Sequence, residues 1–123
     1  MVGKSSTVGL PTALLMMNEE ATVSVCHIFT DPEDVKRLCQ QADIIISAAG
    51  CANLIGRDHV RKGQVVIDVG INVDAQGKLC GDVDFPSVEP IVEAITPVPG
   101  GVGAVTSTIM ISHVVKAAQL ATA

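Results

Sequence analysis

Short apolar runs alternate with breaks marked by glycine, proline or acidic residues along the 123-residue chain. The runs rich in β-branched residues predict strands, and apolar positions three or four apart predict helices. The predicted strands are a stub at 1–2 and the runs 22–26, 43–49, 64–68 and 94–96. The predicted helices continue from Pro11, begin at Asp31, and span 57–60, 87–93 and 106–120, and residues 74–78 predict a surface turn.

This alternation of strands and helices predicts an α/β domain with a mostly parallel sheet and right-handed crossovers. Ligands of such sheets bind beyond the carboxyl ends of the strands. The loops predicted at that edge are residues 3–9, 27–30, 49–51, 70–72 and 97–103. Because these loops are glycine-marked or polar, we expect a ligand crevice there.

The first of these loops partly matches the glycine fingerprint of dinucleotide-binding proteins. Gly3 follows the strand stub, but Ser5 replaces the second glycine and Gly9 comes one residue late. Ser5 and the following helix N-terminus can still attract a phosphate. The loop therefore indicates either a phosphate site or an ordinary turn between a strand and a helix.

The end of the second predicted strand bears on the choice of cofactor. NAD sites commonly place an acidic residue there to hold the ribose hydroxyls, whereas this chain has His27 and Ile28. Asp31 is better explained as a helix cap. Lys4 and His27 can face a 2′-phosphate, which favours NADP, but Ile28 offers nothing polar and NAD stays open.

Two later loops have a functional and a structural interpretation each. Residues 69–72 follow a buried strand and form either a turn centred on Asn72 or a backbone contact to a nicotinamide. In the loop at 97–103, two prolines fix the backbone and three glycines permit close approach by a ligand or another domain. That combination favours function.

Composition excludes several classes of protein. The chain is 48% hydrophobic with a net charge of −5, and two phenylalanines are its only aromatic residues. Nucleic acid is not an expected partner, because a basic stripe and stacking aromatics are missing. No run is long enough to span a membrane.

The remaining polar residues suggest no metal and no nucleophile. The four cysteines lack CxxC spacing and are expected to be reduced, in or near the core. With no visible signal peptide, this places the chain in the cytoplasm or an organelle matrix. Asp68, Asp82 and Asp84 have the spacing of separate turns rather than of a metal site.

Several runs occur in an order that resembles one known family. They are Val2-Gly3-Lys4-Ser5, Ala42-Asp43-Ile44, Val66-Ile67-Asp68-Val69-Gly70-Ile71-Asn72, Gly81-Asp82-Val83 and Ile95-Thr96-Pro97-Val98-Pro99-Gly100-Gly101-Val102-Gly103. Over nearly the whole chain, they resemble the C-terminal domain of bifunctional methylenetetrahydrofolate dehydrogenase/methenyltetrahydrofolate cyclohydrolase.

The resemblance implies a Rossmann-like, doubly wound domain with helices on both faces of the sheet and a truncated first strand. It implies NADP, or less often NAD, as cofactor. The family oxidises 5,10-methylenetetrahydrofolate to the 5,10-methenyl form and hydrolyses this to 10-formyltetrahydrofolate. By position, the implied cofactor-binding residues are Gly3, Lys4, Ser5, His27, Ile28, Ile71, Pro99, Gly100 and Gly101.

The sequence departs from the family's usual pattern at three places. Lys4 stands where arginine is common, which keeps the charge but loses the bidentate fork. Ile28 stands where a polar or basic residue is common, and Ala104-Val105 replaces Pro-Met after the glycines.

The family's proton-handling lysine and folate-stacking tyrosine lie in an N-terminal domain. This chain has no tyrosine, and none of its five lysines has a matching context. We therefore expect residues 1–123 to be one dinucleotide-binding domain, without the folate domain and without a catalytic residue, inactive alone, from an enzyme that is a homodimer. The alternatives are the cofactor domain of another dehydrogenase and a non-catalytic nucleotide-binding module.

Overall fold

The predicted parallel sheet is present, with strands shorter than the apolar runs that form them. The computed structural model describes residues 1–123. Its strands are β1 (Ile44–Ser47), β2 (Val65–Asp68), β3 (Asn72–Val73), β4 (Leu79–Cys80) and β5 (Ala94–Ile95). Its helices are α1 (Gly9–Asn18), α2 (Pro32–Gln41), α3 (Phe85–Val88) and α4 (Val102–Ala121), with a 3₁₀ turn at Arg57–His59. β1, β2 and β5 form the sheet in that order, and every pairing in it is parallel.

The strand stub extends this sheet by one position. Val2 makes parallel bridges to Cys26 on one side and to Ser47 on the other. Its amide donates to the carbonyl of Ile46 at 2.8 Å. The predicted strand at 22–26 is reduced to the bridge at Cys26, because the neighbouring backbone consists of Met1 and Val2 alone and reaches only as far as Ser24.

Helix α2 begins as its sequence predicts. Asp31 caps it by accepting a hydrogen bond from the amide of Glu33 at 2.9 Å, and Pro32 occupies the first turn. The acidic residues Glu33 and Asp34 lie near the positive end of the helix dipole. The helix buries Val35 and Cys39, so local signals and tertiary packing agree here.

Two other predicted elements differ from the structure. The helix predicted at 87–93 is the single turn α3, since Pro90 has no amide hydrogen to continue the ladder. The predicted turn at 74–78 joins β3 and β4 into an antiparallel hairpin that the sequence pattern did not reveal. In that turn, the Asp74 carboxylate accepts hydrogen bonds from the amides of Gln76 and Lys78.

The core is aliphatic, in a chain whose only aromatic residues are two phenylalanines. Its buried cluster contains eight aliphatic residues and two cysteines: Val2, Cys26, Val35, Cys39, Ile45, Ile55, Val60, Val66, Val83 and Val88. All four cysteines are free. Burial of this apolar surface is the main favourable contribution to folding.

Helix α4 takes no part in that core. None of its residues is buried, and Ile111 is 66% exposed. The broad apolar face predicted for this helix therefore has no neighbour within the chain. No helix combines the length and apolar character needed to cross a membrane.

Candidate functional site

The glycine loop leaves the centre of the sheet through a tight backbone contact. A Cβ added to Gly3 would overlap the carbonyl oxygen of Ala48, and one added to Gly9 would overlap the carbonyl oxygen of Gly3. The φ of Gly3 is 104°, in the left-handed region that favours glycine. Both ends of the loop thus require glycine, although the loop does not match the usual spacing.

The polar side chains of this loop have different surroundings. The hydroxyl of Ser5 accepts hydrogen bonds from the amides of Val8 and Gly9 at 3.2 and 3.3 Å, so it closes the loop at the start of α1. Lys4 is exposed and makes no hydrogen bond or ion pair. Its ammonium is therefore available to a ligand.

The order of the strands creates a crevice beside this loop. From Val2 the chain passes first to Cys26 on one side and later to β1 on the other. Such a reversal is the topological switch point at which parallel α/β sheets bind ligands. The loops after Val2 and after β1 meet there, as the contact between Gly3 and Ala48 shows.

The loop after Cys26 carries no carboxylate at its tip. The His27 amide donates to the Thr30 hydroxyl at 2.9 Å, and the His27 Nδ1 accepts from the Phe29 amide at 3.2 Å. Ile28 is 89% exposed. Because Asp31 caps α2, the nearest acidic side chain has a structural partner already.

A second group of predicted residues surrounds a cavity of about 250 Å³. Ile71, Pro99, Gly100 and Gly101 line it, together with Gly70 and Ser107. A Cβ added to Gly101 would overlap the carbonyl oxygen of Pro97, so the loop closes tightly on itself. Gly3, Lys4, Ser5, His27 and Ile28 do not line this cavity and lie farther along the same sheet edge.

Between these two groups lies a pair of buried aspartates. Asp68 accepts hydrogen bonds from the amides of Gly70, Asp82 and Val83 at 2.9–3.1 Å. Burial raises the pKa of the Asp68 carboxyl, against the lowering effect of these three amides. Asp82 accepts hydrogen bonds from five donors of its own.

The two aspartates serve as internal acceptors. Each is bonded to the chain's own donors, and no group of three metal-ligating side chains is present. The sequence pattern assigned them to separate turns rather than to a metal site and gave no indication of this role. The available signal was a pair of glycines: a Cβ on Gly70 would overlap Asp82, and one on Gly81 would overlap Asp68.

A larger cavity lies elsewhere. It measures about 480 Å³, is mostly apolar, and lies between Met1, the segment at 21–24 and the first residues of β1. None of the nine predicted site residues lines it. Size alone therefore does not identify the site to which the sequence points.

A parallel sheet with a glycine loop at its switch point and further glycine loops along the same edge defines a dinucleotide-binding domain. The profile of the family described as tetrahydrofolate dehydrogenase/cyclohydrolase, NAD(P)-binding domain, matches residues 1–122. The chain belongs to this family, which confirms the resemblance found in the sequence.

Related proteins agree with this assignment. The chain is 52% identical over 119 residues to the bifunctional protein FolD of Alkaliphilus metalliredigens, covering 97% of this chain and 41% of that protein. It is 50% identical over 122 residues to the FolD protein of Carboxydothermus hydrogenoformans, covering 98% and 42%. The chain thus spans about two fifths of the length of these relatives.

Solved structures show the same fold. The bifunctional enzyme FolD of Campylobacter jejuni superposes with a TM-score of 0.90 at 49% identity, over 96% of this chain and 41% of that one. The methylenetetrahydrofolate dehydrogenase-cyclohydrolase of Trypanosoma brucei, complexed with NADP cofactor and an inhibitor, gives 0.79 at 41% identity, over 85% and 37%. The Rossmann-like prediction is therefore confirmed, and NAD(P) is the cofactor class.

Proposed function

We propose that this chain is the cofactor domain of an enzyme that oxidises 5,10-methylenetetrahydrofolate to the 5,10-methenyl form and hydrolyses that product to 10-formyltetrahydrofolate. The observation that carries the proposal is the glycine loop at the switch point of a chain from this NAD(P)-binding family. The two reactions are those in the names of its relatives. Because the chain covers about two fifths of those proteins, the reactions belong to a longer protein.

One end of the dinucleotide is assigned to the first loop. Gly3, Lys4 and Ser5 would hold the phosphates, because close backbone, an exposed ammonium and the start of α1 converge there. His27 and Ile28 would flank the adenosine. The absence of a side chain on Gly3 lets the backbone at Ala48 pack closely against the loop, while the Lys4 side chain stays exposed, so the residues present fit a phosphate group.

The other end is assigned to the 250 Å³ cavity. Ile71 would contact the nicotinamide, and Pro99, Gly100 and Gly101 would border the side that faces the folate. The bound cofactor would supply the hydride acceptor. The residues of this chain would orient its ring and limit access of water to it.

We assign NADP rather than NAD as the preferred cofactor. The carboxylate that commonly holds the NAD ribose is missing, because Asp31 is engaged as the cap of α2. Lys4 and His27 are the residues near this crevice whose side chains can compensate the negative charge of a 2′-phosphate. Ile28 contributes only apolar contact.

The remaining assignments concern the whole protein. We propose that residues 1–123 form one domain and contribute no catalytic residue, that a second domain binds the tetrahydrofolate derivative, and that the enzyme is a homodimer. The lack of tyrosine in this chain and its share of the relatives' length support the second domain. Its four free cysteines suit the cytoplasm.

Calorimetric titration tests the cofactor assignment. We expect NADP to bind more tightly than NAD, and Lys4→Gln to weaken NADP by about tenfold through loss of one charged hydrogen bond. Lys62→Gln, at an exposed lysine remote from both glycine loops in the sequence, is the matched control and should change neither affinity. Equal binding of NAD and NADP would overturn the preference.

A folate-dependent absorbance assay tests the assignment of catalysis. The 123-residue chain with NADP and 5,10-methylenetetrahydrofolate should produce no NADPH. Turnover by this chain alone would overturn the proposal that the catalytic residues lie in another domain.

A further inference from the structure

The carboxylate of Asp82 collects donors from segments far apart in the sequence. Its Oδ2 accepts from the Ser47 hydroxyl at 3.0 Å, the Ala49 amide at 2.7 Å and the Gly50 amide at 3.3 Å. Its Oδ1 accepts from the Cys51 amide and the Asn72 side chain, both at 3.0 Å. Asp82 is fully buried, where charge-assisted hydrogen bonds are strong.

Ser47 is the last residue of β1, and the other four donors lie in or directly after the two loops that border the proposed cofactor crevice. The amides at 49–51 belong to the loop after β1, which starts beside Gly3. Asn72 directly follows Ile71 and is the first residue of β3. Three consecutive amides pointing at one anion form a backbone nest, and here the anion is part of the protein.

Asp82 is itself held in place. Its amide and that of Val83 donate to the carboxylate of Asp68 at 3.1 and 2.9 Å. The absence of a side chain on Gly70 leaves the space that the Asp82 carboxylate fills. The backbone that carries the acceptor is therefore anchored to Asp68, the last residue of β2.

We propose that Asp82 is a positioning residue for the dinucleotide: it ties the 49–51 and 70–72 loops to one buried acceptor and so fixes their positions at the border of the crevice. This inference rests on the proposed function. Without the carboxylate, three loop amides and the Asn72 side chain lose their common acceptor, and the two loops are no longer tied to each other.

Asp82→Asn tests this role, because it keeps the size of the side chain but turns an acceptor into a donor that faces other donors. We expect NADP to bind at least about tenfold more weakly, in line with the loss of hydrogen bonds to a charged group. In nuclear magnetic resonance spectra, the amides at 49–51 should exchange faster with solvent and shift upfield. The helical circular dichroism signal should stay unchanged.

Two controls separate positioning from a general loss of stability. Asp84→Asn makes the same substitution two residues away, at a carboxylate that accepts no hydrogen bond, and should leave NADP affinity unchanged. Val60→Ala weakens the core, where Val60 is 8% exposed, and should lower the melting temperature without changing NADP affinity.

The outcomes distinguish this inference from the proposed function. If the parent chain does not bind NADP, the proposed function is wrong. If the parent chain binds and a folded Asp82→Asn chain binds within about twofold of it, the role of Asp82 is overturned.

If Asp82→Asn does not fold, Asn72→Ala removes one donor and keeps the carboxylate. It should weaken NADP about two- to fivefold, as expected for a single hydrogen bond. Gln76→Ala, in the exposed hairpin turn, is its control and should have no effect. Unchanged affinity in Asn72→Ala would likewise count against the proposal.

Discussion

The carboxyl edge of the sheet buries polar side chains, whereas helix α4 exposes apolar ones. At the edge, Ser47, Asp68 and Asp82 are buried, and no buried side-chain polar atom in the chain lacks a hydrogen bond. In α4, apolar residues such as Ile111 and Leu120 are exposed. The place of a residue in the fold, and not its polarity alone, therefore decides whether it is buried.

The two regions also differ in what keeps them ordered. The edge depends on contacts between distant segments, as in the hydrogen bond from Ser47 to Asp82. In α4 the side-chain hydrogen bonds are local: the hydroxyls of Thr106, Ser107 and Thr108 donate to carbonyls four residues earlier. Substitutions should consequently be costly at the edge and tolerated in the helix.

The largest contrast is expected between two glycines. Gly81→Ala would place a Cβ in the space of the Asp68 carboxylate. Relief of that overlap requires the buried aspartate to give up its amide donors, so we expect a loss of about 4–5 kcal/mol or more, enough to unfold much of the protein. Urea unfolding followed by circular dichroism would measure it.

Gly103→Ala is the matched control in α4. A Cβ at this position meets nothing within 4 Å, and alanine favours a helix over glycine by roughly 0.5–1 kcal/mol. The helix variant should be as stable as the parent chain or slightly more so. Comparable losses in both glycine variants would remove the distinction between the two regions.

A smaller contrast is expected between two isoleucines. Ile45 in β1 is 2% exposed, and Ile45→Ala should cost about 3 kcal/mol through lost burial and the cavity that remains. Ile111 in α4 is 66% exposed, and Ile111→Ala should change stability by less than about 0.5 kcal/mol. If Ile111→Ala cost as much, the helix would have to pack against something in solution, and sedimentation would show a larger species.

Local signals explain which parts of the fold were predictable. The start of α2 needs only Asp31, Pro32 and Glu33, which are neighbours in the sequence. The strand at 64–68 was predicted to within one residue. The strand predicted at 94–96 is one residue longer than β5, which pairs with β2 only at Ala94 and Ile95. The length of a strand depends on its pairing partner, and the sequence of the run does not contain that information.

The missed features depend on distant residues. The donor and the acceptor in the Ser47–Asp82 hydrogen bond are 35 positions apart, and Asp82 on its own resembles a turn residue. The apolar pattern of α4 predicted the helix but could not show whether a partner covers it. In the candidate site, the glycine loops were recognised from the sequence, whereas the aspartate pair between them was not.

A further contrast concerns how two helices begin. Asp31→Ala removes the cap of α2 and should cost about 1 kcal/mol. Helix α4 begins after Gly101 without any side-chain cap, so its first turn has no equivalent interaction to lose. Thermal unfolding would measure the change, and Asp74→Ala in the hairpin turn, where the carboxylate serves a turn rather than a helix, gives a comparison. An unchanged melting temperature for Asp31→Ala would contradict the importance of the cap.

The smallest effect on stability is expected from the thiol of Cys39, which is buried in α2. Burial raises the pKa of Cys39 from 9.0 to about 11. Because the folded chain holds this proton to higher pH than the unfolded chain, the contribution to stability is complete below pH 9 and is lost as the pH rises towards 11. Cys39→Ala has no thiol to titrate, so its stability does not follow this change. The difference in free energy of unfolding between parent and variant should therefore narrow between pH 9 and pH 11. Chemical denaturation at several pH values would measure it, with Cys51→Ser, at an exposed loop cysteine, as the control. Parent and Cys39→Ala curves that run parallel from pH 9 to 11 would show that burial does not hold the proton on this thiol.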